Sequence, residues 1–243
     1  MTVQPIILLD DGGVMNDNRL RRDQWPPLVG EFFAPRLGGT IEAWAEANRT
    51  VVQHFMDLAS WLQRLEAAAD YTHFEQTYWL DWLQGMAQLV QVPLPSVQEC
   101  IQLAREAEEY IIPHVHSAFP GVCEAIKQLH AEDYVLHTAS GESSVHLTHY
   151  LGAMQVRHCF GQLYGPDLLN TFKTGPDYYA QIFAQLQIAP GDALIVDDNP
   201  GAISWASSLG ARTVLVGASK ATDNKTIQIN NLAELPDLLQ GLT

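Results

Sequence analysis

Apolar and polar positions fall into two textures along the chain. Ile6–Leu9 is a continuous apolar run that closes on Asp10-Asp11-Gly12-Gly13, the pattern of a strand buried on both faces that opens into a tight loop. From residue 25 to 112 apolar residues recur at helical spacing instead, as at Trp44, Val51, Phe55, Leu58, Leu62 and Leu65. Pro93 and Pro95 stop one helix. Ser96-Val-Gln-Glu99 opens the next as a capping box, with Ser96 accepting from a first-turn N–H and Glu99 reaching back. About four helices are predicted in this stretch.

Beyond Pro113 strand and helix signals alternate. A helix is expected from Pro120, with that proline in its first turn, to Leu129. Strand Tyr134–Thr138 is followed by a helix to Leu151, and helix Pro176–Gln187 by strand Ala193–Val196, which runs into Asp197-Asp198-Asn199-Pro200. Helix Gly201–Leu209, strand Arg212–Val216, a short strand Thr226–Ile229 and a closing helix from Asn231 complete the order. Such alternation predicts an α/β protein with a doubly wound parallel sheet and helices on both faces. Neither a repeat nor a low-complexity segment interrupts it.

Charge narrows the partners. The 243 residues carry 28 acidic against 13 basic side chains, a net −15, which disfavours nucleic acid and anionic membranes. No apolar run is long enough to cross a bilayer, and the start lacks the pattern of a secretion signal. Cys100, Cys123 and Cys159 form no C-x-x-C pair and read as thiols in a reducing cytoplasm. Lysine is scarce: Lys127, Lys173, Lys220 and Lys225 are the whole set. The pattern specifies no oligomeric state.

In a doubly wound sheet, ligands bind beyond the carboxyl ends of the strands. Three such ends carry chemistry: Asp10-Asp11-Gly12-Gly13, Thr138-Ala139-Ser140-Gly141 and Asp197-Asp198-Asn199, with Lys173 between the second and third. Carboxylates from two strand ends make an oxygen-rich site for a hard cation such as Mg²⁺. A hydroxyl, loop N–H groups and one ammonium supply the donor side. The set suits a phosphoryl group attacked by a carboxylate.

Four segments in this order resemble the motifs of the haloacid dehalogenase (HAD) superfamily of hydrolases: Asp10-Asp11-Gly12-Gly13-Val14, Val135-Leu136-His137-Thr138, Lys173 ahead of Pro176-Asp177-Tyr178-Tyr179, and Leu194-Ile195-Val196-Asp197-Asp198. The resemblance covers nearly the whole chain. It implies a Rossmann-like core at 1–15 and 116–243, with an inserted helical cap at 16–115. It also implies a Mg²⁺-dependent phosphatase acting on a small phosphorylated metabolite. Asp10 would be nucleophile and metal ligand. The Gly12 carbonyl, Asp197 and Asp198 would complete the protein's metal ligands. Thr138 and the Ala139 N–H would bind phosphoryl oxygens, and Lys173 would balance charge.

Two departures qualify the match. Thr174-Gly175 separate Lys173 from the proline that usually follows it directly. Gly12 stands where the family's second Asp acts as general acid, a role worth ~10²–10⁴-fold in rate. Asp11 does not replace it, because neighbouring side chains at a strand end point to opposite faces. The chain looks closest to a branch with D-x-G-G-V.

Gly12 also motivates two other readings: a catalytically weak or non-catalytic phosphate binder, and a metal-independent 2-haloacid dehalogenase. The paired acids of the fourth motif argue against the dehalogenase. Phosphonate hydrolysis needs a cap lysine, and residues 16–115 hold none. Five tryptophans fall in that stretch, Trp25, Trp44, Trp61, Trp79 and Trp82; packing within the bundle is preferred over lining a pocket. Arg49 and Arg64 are candidate contacts for an anionic substrate. Gly12–Arg22 and Pro113–Pro120 are the candidate hinges.

Overall fold

The structure is a computed structural model that describes residues 4–55, 58–220 and 226–241, with the backbone alone for 58–62. Lys225 and the side chains of Leu58, Trp61 and Leu62 therefore lie outside the described residues. The chain divides into two compact units, residues 1–18 with 117–243, and residues 19–116.

The first unit is built on strands β1 (Ile6–Leu9), β2 (Leu136–Ala139), β3 (Phe160–Tyr164), β4 (Ala193–Asp197), β5 (Arg212–Val216) and β6 (Ile227–Ile229). Among the described residues they form one parallel sheet in the order β3-β2-β1-β4-β5-β6. This is the doubly wound, Rossmann-like order. Its direction reverses between β1 and β4, so the crevice for a ligand opens at their carboxyl ends.

Side-chain alternation builds two buried layers. Ile7, Leu9, Leu194 and Val196 face α6 (Val122–Ala131), α7 (Ser144–Ala153) and α11 (Leu235–Gln240). Leu8, Ala193 and Ile195 face α9 (Pro176–Leu186) and α10 (Pro200–Ser208). With both faces covered, the central strands have no room for polar residues until they end. That confinement puts the acids at the strand tips.

The second unit is helical. It holds α2 (Ile41–Phe55), α3 (Leu58–Ala67), α4 (Tyr71–Val90) and α5 (Val97–Ile111), and all of α1 (Asn18–Leu37) beyond its first residue. Among the described residues five helices thus stand where about four were expected, because α1 begins at Asn18 and runs through Pro26, Pro27 and Pro35. The Ser96–Glu99 capping box at α5 is formed as expected. Trp44, Trp79 and Trp82 are buried within their own bundle: Phe33 stacks on Trp44 with centroids 5.0 Å apart and meets Trp82 edge-on at 5.7 Å. The Trp82 indole donates to Asn48 Oδ1 at 2.9 Å, and that of Trp79 to the buried Glu108 at 2.6 Å. Arg49 pairs with Glu46 at 3.0 Å and Arg64 with Asp81 at 2.7 Å.

Two expectations about elements are corrected, and one strand was not expected. Pro120 lies outside α6, whose N-cap is Gly121 at φ 78°, a left-handed conformation that glycine adopts without a Cβ penalty. Strand β2 starts two residues later than expected and extends to Ala139, while Val135 stays half-exposed. Strand β3, with the four-residue helix α8 (Pro166–Leu169) behind it, has no apolar alternation to announce it. Its second and third residues, Gly161 and Gln162, are exposed, and its register on β2 shifts between Leu136 and Thr138. His137 Nδ1 accepts the Gln162 N–H at 2.8 Å beside that shift.

Candidate active site

The site starts from the sheet. Asp10 is the first residue past β1, and its N–H donates to Val196 O of the neighbouring β4 at 2.9 Å. That bond carries the ladder to the strand's end, so the tips of β1 and β4 stay side by side. Asp197 closes β4 and Asp198 follows it. Asn199 then caps α10, its side chain accepting from Gly201 N–H at 2.8 Å, with Pro200 in the first helical position. The run Asp-Asp-Asn-Pro is thus two acids at a strand tip joined to a helix start. The Asn199 N–H donates to Asp197 Oδ1 at 2.9 Å and fixes that carboxylate.

Lys173 reaches this point from the loop before α9, despite the two extra residues ahead of Pro176. Its Nζ lies 2.8 Å from Asp10 Oδ1, 2.7 Å from Asp197 Oδ2 and 2.7 Å from the carbonyl of Ala139. Its side chain is only 10% exposed. Burial opposes the ammonium charge, but Asp10 and Asp197 outweigh it and hold the lysine charged well above its ordinary range. Burial raises the Asp10 carboxyl to about 7, against the pull of Lys173 and with the push of Asp197. Burial and Asp197 raise Asp198 as well.

The consecutive tyrosines of α9, Tyr178 and Tyr179, brace the site. Both are fully buried and meet edge-on, 5.4 Å between centroids. The Tyr178 hydroxyl bridges the carbonyls of Ser140 and Tyr164 at 2.7 and 3.1 Å, fastening the ends of β2 and β3. Tyr179 donates to Asp197 Oδ2 at 3.2 Å. Gly13 has φ 87°, and a Cβ there would stand 2.0 Å from Asp198 Oδ2. A side chain at position 13 would therefore meet that carboxylate.

The structure thus gathers Asp10, Asp197, Asp198, Lys173 and the Ala139 carbonyl. Thr138 stands apart in its contacts: it is fully buried, and its hydroxyl donates to Tyr164 O at 3.2 Å on the adjacent strand. Ser140, just past β2, accepts from Glu142 N–H through its own hydroxyl; its sequence signal was a second hydroxyl two residues past Thr138. Asp11 points away from Asp10, fully buried and accepting from Asn16 Nδ2 at 2.7 Å, while Ser117 donates to Asn16 Oδ1.

One carboxylate oxygen from each of Asp10, Asp197 and Asp198 lies within 4.8 Å of the others. The donors are all hard carboxylate oxygens, the ligand type that a hard divalent cation takes. Three carboxylates and one ammonium leave a double negative charge, which a divalent ion balances. The residues present fit Mg²⁺.

Sequence comparison decides the family. The model of the haloacid dehalogenase-like hydrolases matches residues 90–216, just over half of the chain. The chain belongs to the haloacid dehalogenase-like hydrolase family. A search of curated protein sequences finds no match. Solved structures of similar fold include L-2-haloacid dehalogenase from Xanthobacter autotrophicus, at 16% identity and TM-score 0.67 over 99% of this chain and 100% of that one. A HAD phosphatase from Thermococcus onnurineus is similar at 18% identity and TM-score 0.61, covering 98% and 99%. A predicted phosphoglycolate phosphatase from Haemophilus somnus is similar at 15% identity and TM-score 0.59, covering 99% and 100%. The fold of this haloacid dehalogenase-like hydrolase is therefore common to dehalogenases and phosphatases, and the reaction has to be argued from the site. No helix among the described residues is long and apolar enough to cross a membrane.

Proposed function

We propose that this hydrolase is a Mg²⁺-dependent phosphatase acting on a small phosphate monoester through Asp10. The observation that carries the reading is the third acid. Lys173 facing Asp10 and Asp197 already leaves a net charge of about −1, and Asp198 doubles that excess at the point where an anionic substrate would have to arrive. Mg²⁺, held by Asp10, Asp197 and Asp198 with the Gly12 carbonyl, would neutralise that excess and polarise the phosphoryl oxygens. A metal-independent dehalogenase has no use for Asp198 and would suffer from its charge.

In this reading the Asp10 carboxylate bonds to phosphorus, the ester P–O bond breaks, and the leaving alkoxide takes a proton from water because Gly12 offers none. Water then attacks the phosphorus of the aspartyl-phosphate, releasing phosphate and restoring Asp10. Lys173 opposes the burial that disfavours an ionised Asp10, aims its carboxylate, and offsets charge on the transferring group. The end of β2, Thr138 and the Ala139 N–H, with Ser140 just past it, supplies the donors for phosphoryl oxygens. Ser140 fits this role through its place beyond the strand, and Thr138 would first exchange its bond to Tyr164. The helical unit is the substrate-selecting cap, and the protein acts in the cytoplasm.

Turnover of an activated aryl phosphate with and without Mg²⁺, by the natural protein and by Asp10→Asn, tests this. Metal-dependent turnover lost in the variant is expected; equal rates for the two proteins refute it. Halide release from a 2-haloacid in the presence of a chelator would establish the dehalogenase instead.

A further inference from the structure

The side of Gly12 on which a second carboxylate would project is already filled. A Cβ built at Gly12 would stand 2.7 Å from Asn18 Oδ1 and 2.9 Å from Asn18 Nδ2, too close for any side chain unless Asn18 moves. Asn18 is the first residue of α1, and it is exposed. Its amide lies against the loop two residues beyond Asp10 because of where that helix begins. An amide donates and accepts hydrogen bonds but releases no proton at any pH the protein experiences. The volume that would hold an acid thus holds a neutral donor.

We propose that Asn18 contacts the leaving-group oxygen of the substrate and sets leaving-group specificity. Its amide donates a hydrogen bond to the developing anion, and the site selects phosphates of carboxylic acids and acidic hydroxyls over simple alkyl monoesters. The inference rests on the phosphatase reading of Asp10. As Asp10 bonds to phosphorus, the P–O bond breaks and the leaving group departs with its electron pair as a carboxylate or phenolate, taking no proton from the protein. Water completes the cycle at phosphorus and gives up its proton to solvent.

The test uses the whole protein with Mg²⁺, a series of aryl phosphates graded in phenol acidity, acetyl phosphate and glycerol phosphate. The natural protein should show kcat/KM falling steeply as the leaving group becomes more basic, with acetyl phosphate far ahead of glycerol phosphate. Asn18→Ala should lower kcat/KM by about 10²–10³-fold across the series, the effect of one lost donor to a developing anion. Gly12→Asp alone should gain less than Gly12→Asp with Asn18→Ala, because in the single variant carboxylate and amide contest one volume. In the double variant the dependence on leaving group should flatten. Asn18→Ala with unchanged rates and slope overturns the proposal, as does a single Gly12→Asp equal to the double. Asp10→Asn separates the two levels: activity surviving there overturns the phosphatase reading and this inference with it.

Discussion

Replacing Lys173 with methionine isolates the electrostatics of the site from its chemistry. Methionine fills a similar volume but leaves Asp10, 8% exposed, and Asp197, 1% exposed, without their shared cation. The lost contacts are two ion pairs at 2.7–2.8 Å and a hydrogen bond to the Ala139 carbonyl. At an effective dielectric of about 20, each pair is worth roughly 6 kcal/mol before desolvation of the ammonium is subtracted. Removing one partner of a buried pair leaves a net cost of about 3–5 kcal/mol. At roughly 2–4 °C per kcal/mol for a chain of this size, the midpoint should fall by about 6–20 °C at pH 8 in chelator.

Two controls sharpen the expectation. Asp10 already sits at about 7 beside Lys173, and without it the carboxyl rises further above its unfolded value of 3.8. The folded variant then binds a proton that the unfolded chain does not, so its deficit shrinks as pH falls from 8 toward 5. Added Mg²⁺ should also recover part of the loss by replacing the missing charge. Urea or thermal unfolding at both pH values, with and without Mg²⁺, reads all three effects. A Lys173→Met protein as stable as the natural one at pH 8 in chelator would show that Lys173 does not offset the charge of Asp10 and Asp197.

Further outcomes follow from other contacts. Gly13→Ala forces a positive φ on alanine, costing about 1–2 kcal/mol, and drives a methyl into Asp198. Mn²⁺ affinity measured by titration should drop by more than ten-fold while far-ultraviolet circular dichroism is retained. Burial holds His137 below its ordinary value of 6.5. Its neutral form therefore stabilises the fold above pH 6.5, and that contribution is lost as pH falls below it; a denaturation series from pH 7.5 to 5 should show a slope that His137→Phe removes. Asn48→Ala strands the buried Trp82 N–H and should cost about 1–3 kcal/mol of stability, read by tryptophan fluorescence in urea. Tyr179→Phe removes a donor to Asp197 and should lower kcat more than it raises KM.

The sequence discloses the site unevenly. Both central strands were legible because they are apolar on both faces and end abruptly in acids. Nothing else in the chain combines those features, so Asp10, Asp197 and Asp198 stood out. Strand β3 was not legible: as an edge strand with glycine and glutamine at its second and third residues, it is held by backbone pairing and by His137. The Thr138 hydroxyl turned to the adjacent strand because β2 runs one residue further than its apolar pattern, which keeps that position inside the ladder. Lys173 was legible by its isolation among so few lysines, although its reach across two extra residues was not. The roles of Tyr178 and Tyr179 arise from the docking of α9 on the sheet, which no local pattern encodes. Asn18 was invisible for the same reason: only the start of α1 brings residue 18 over residue 12.

The central claim is that Asp10 becomes covalently phosphorylated. Acid quenching the protein during turnover of an activated aryl phosphate in Mg²⁺, followed by mass spectrometry of the peptide that contains Asp10, reads this directly. A phosphoryl adduct on Asp10 is expected, decaying as phosphate is released and absent in Asp10→Asn and in chelator. Phosphate release at full rate with no adduct on Asp10 at any quench time, or an adduct that forms equally well in chelator, would contradict it.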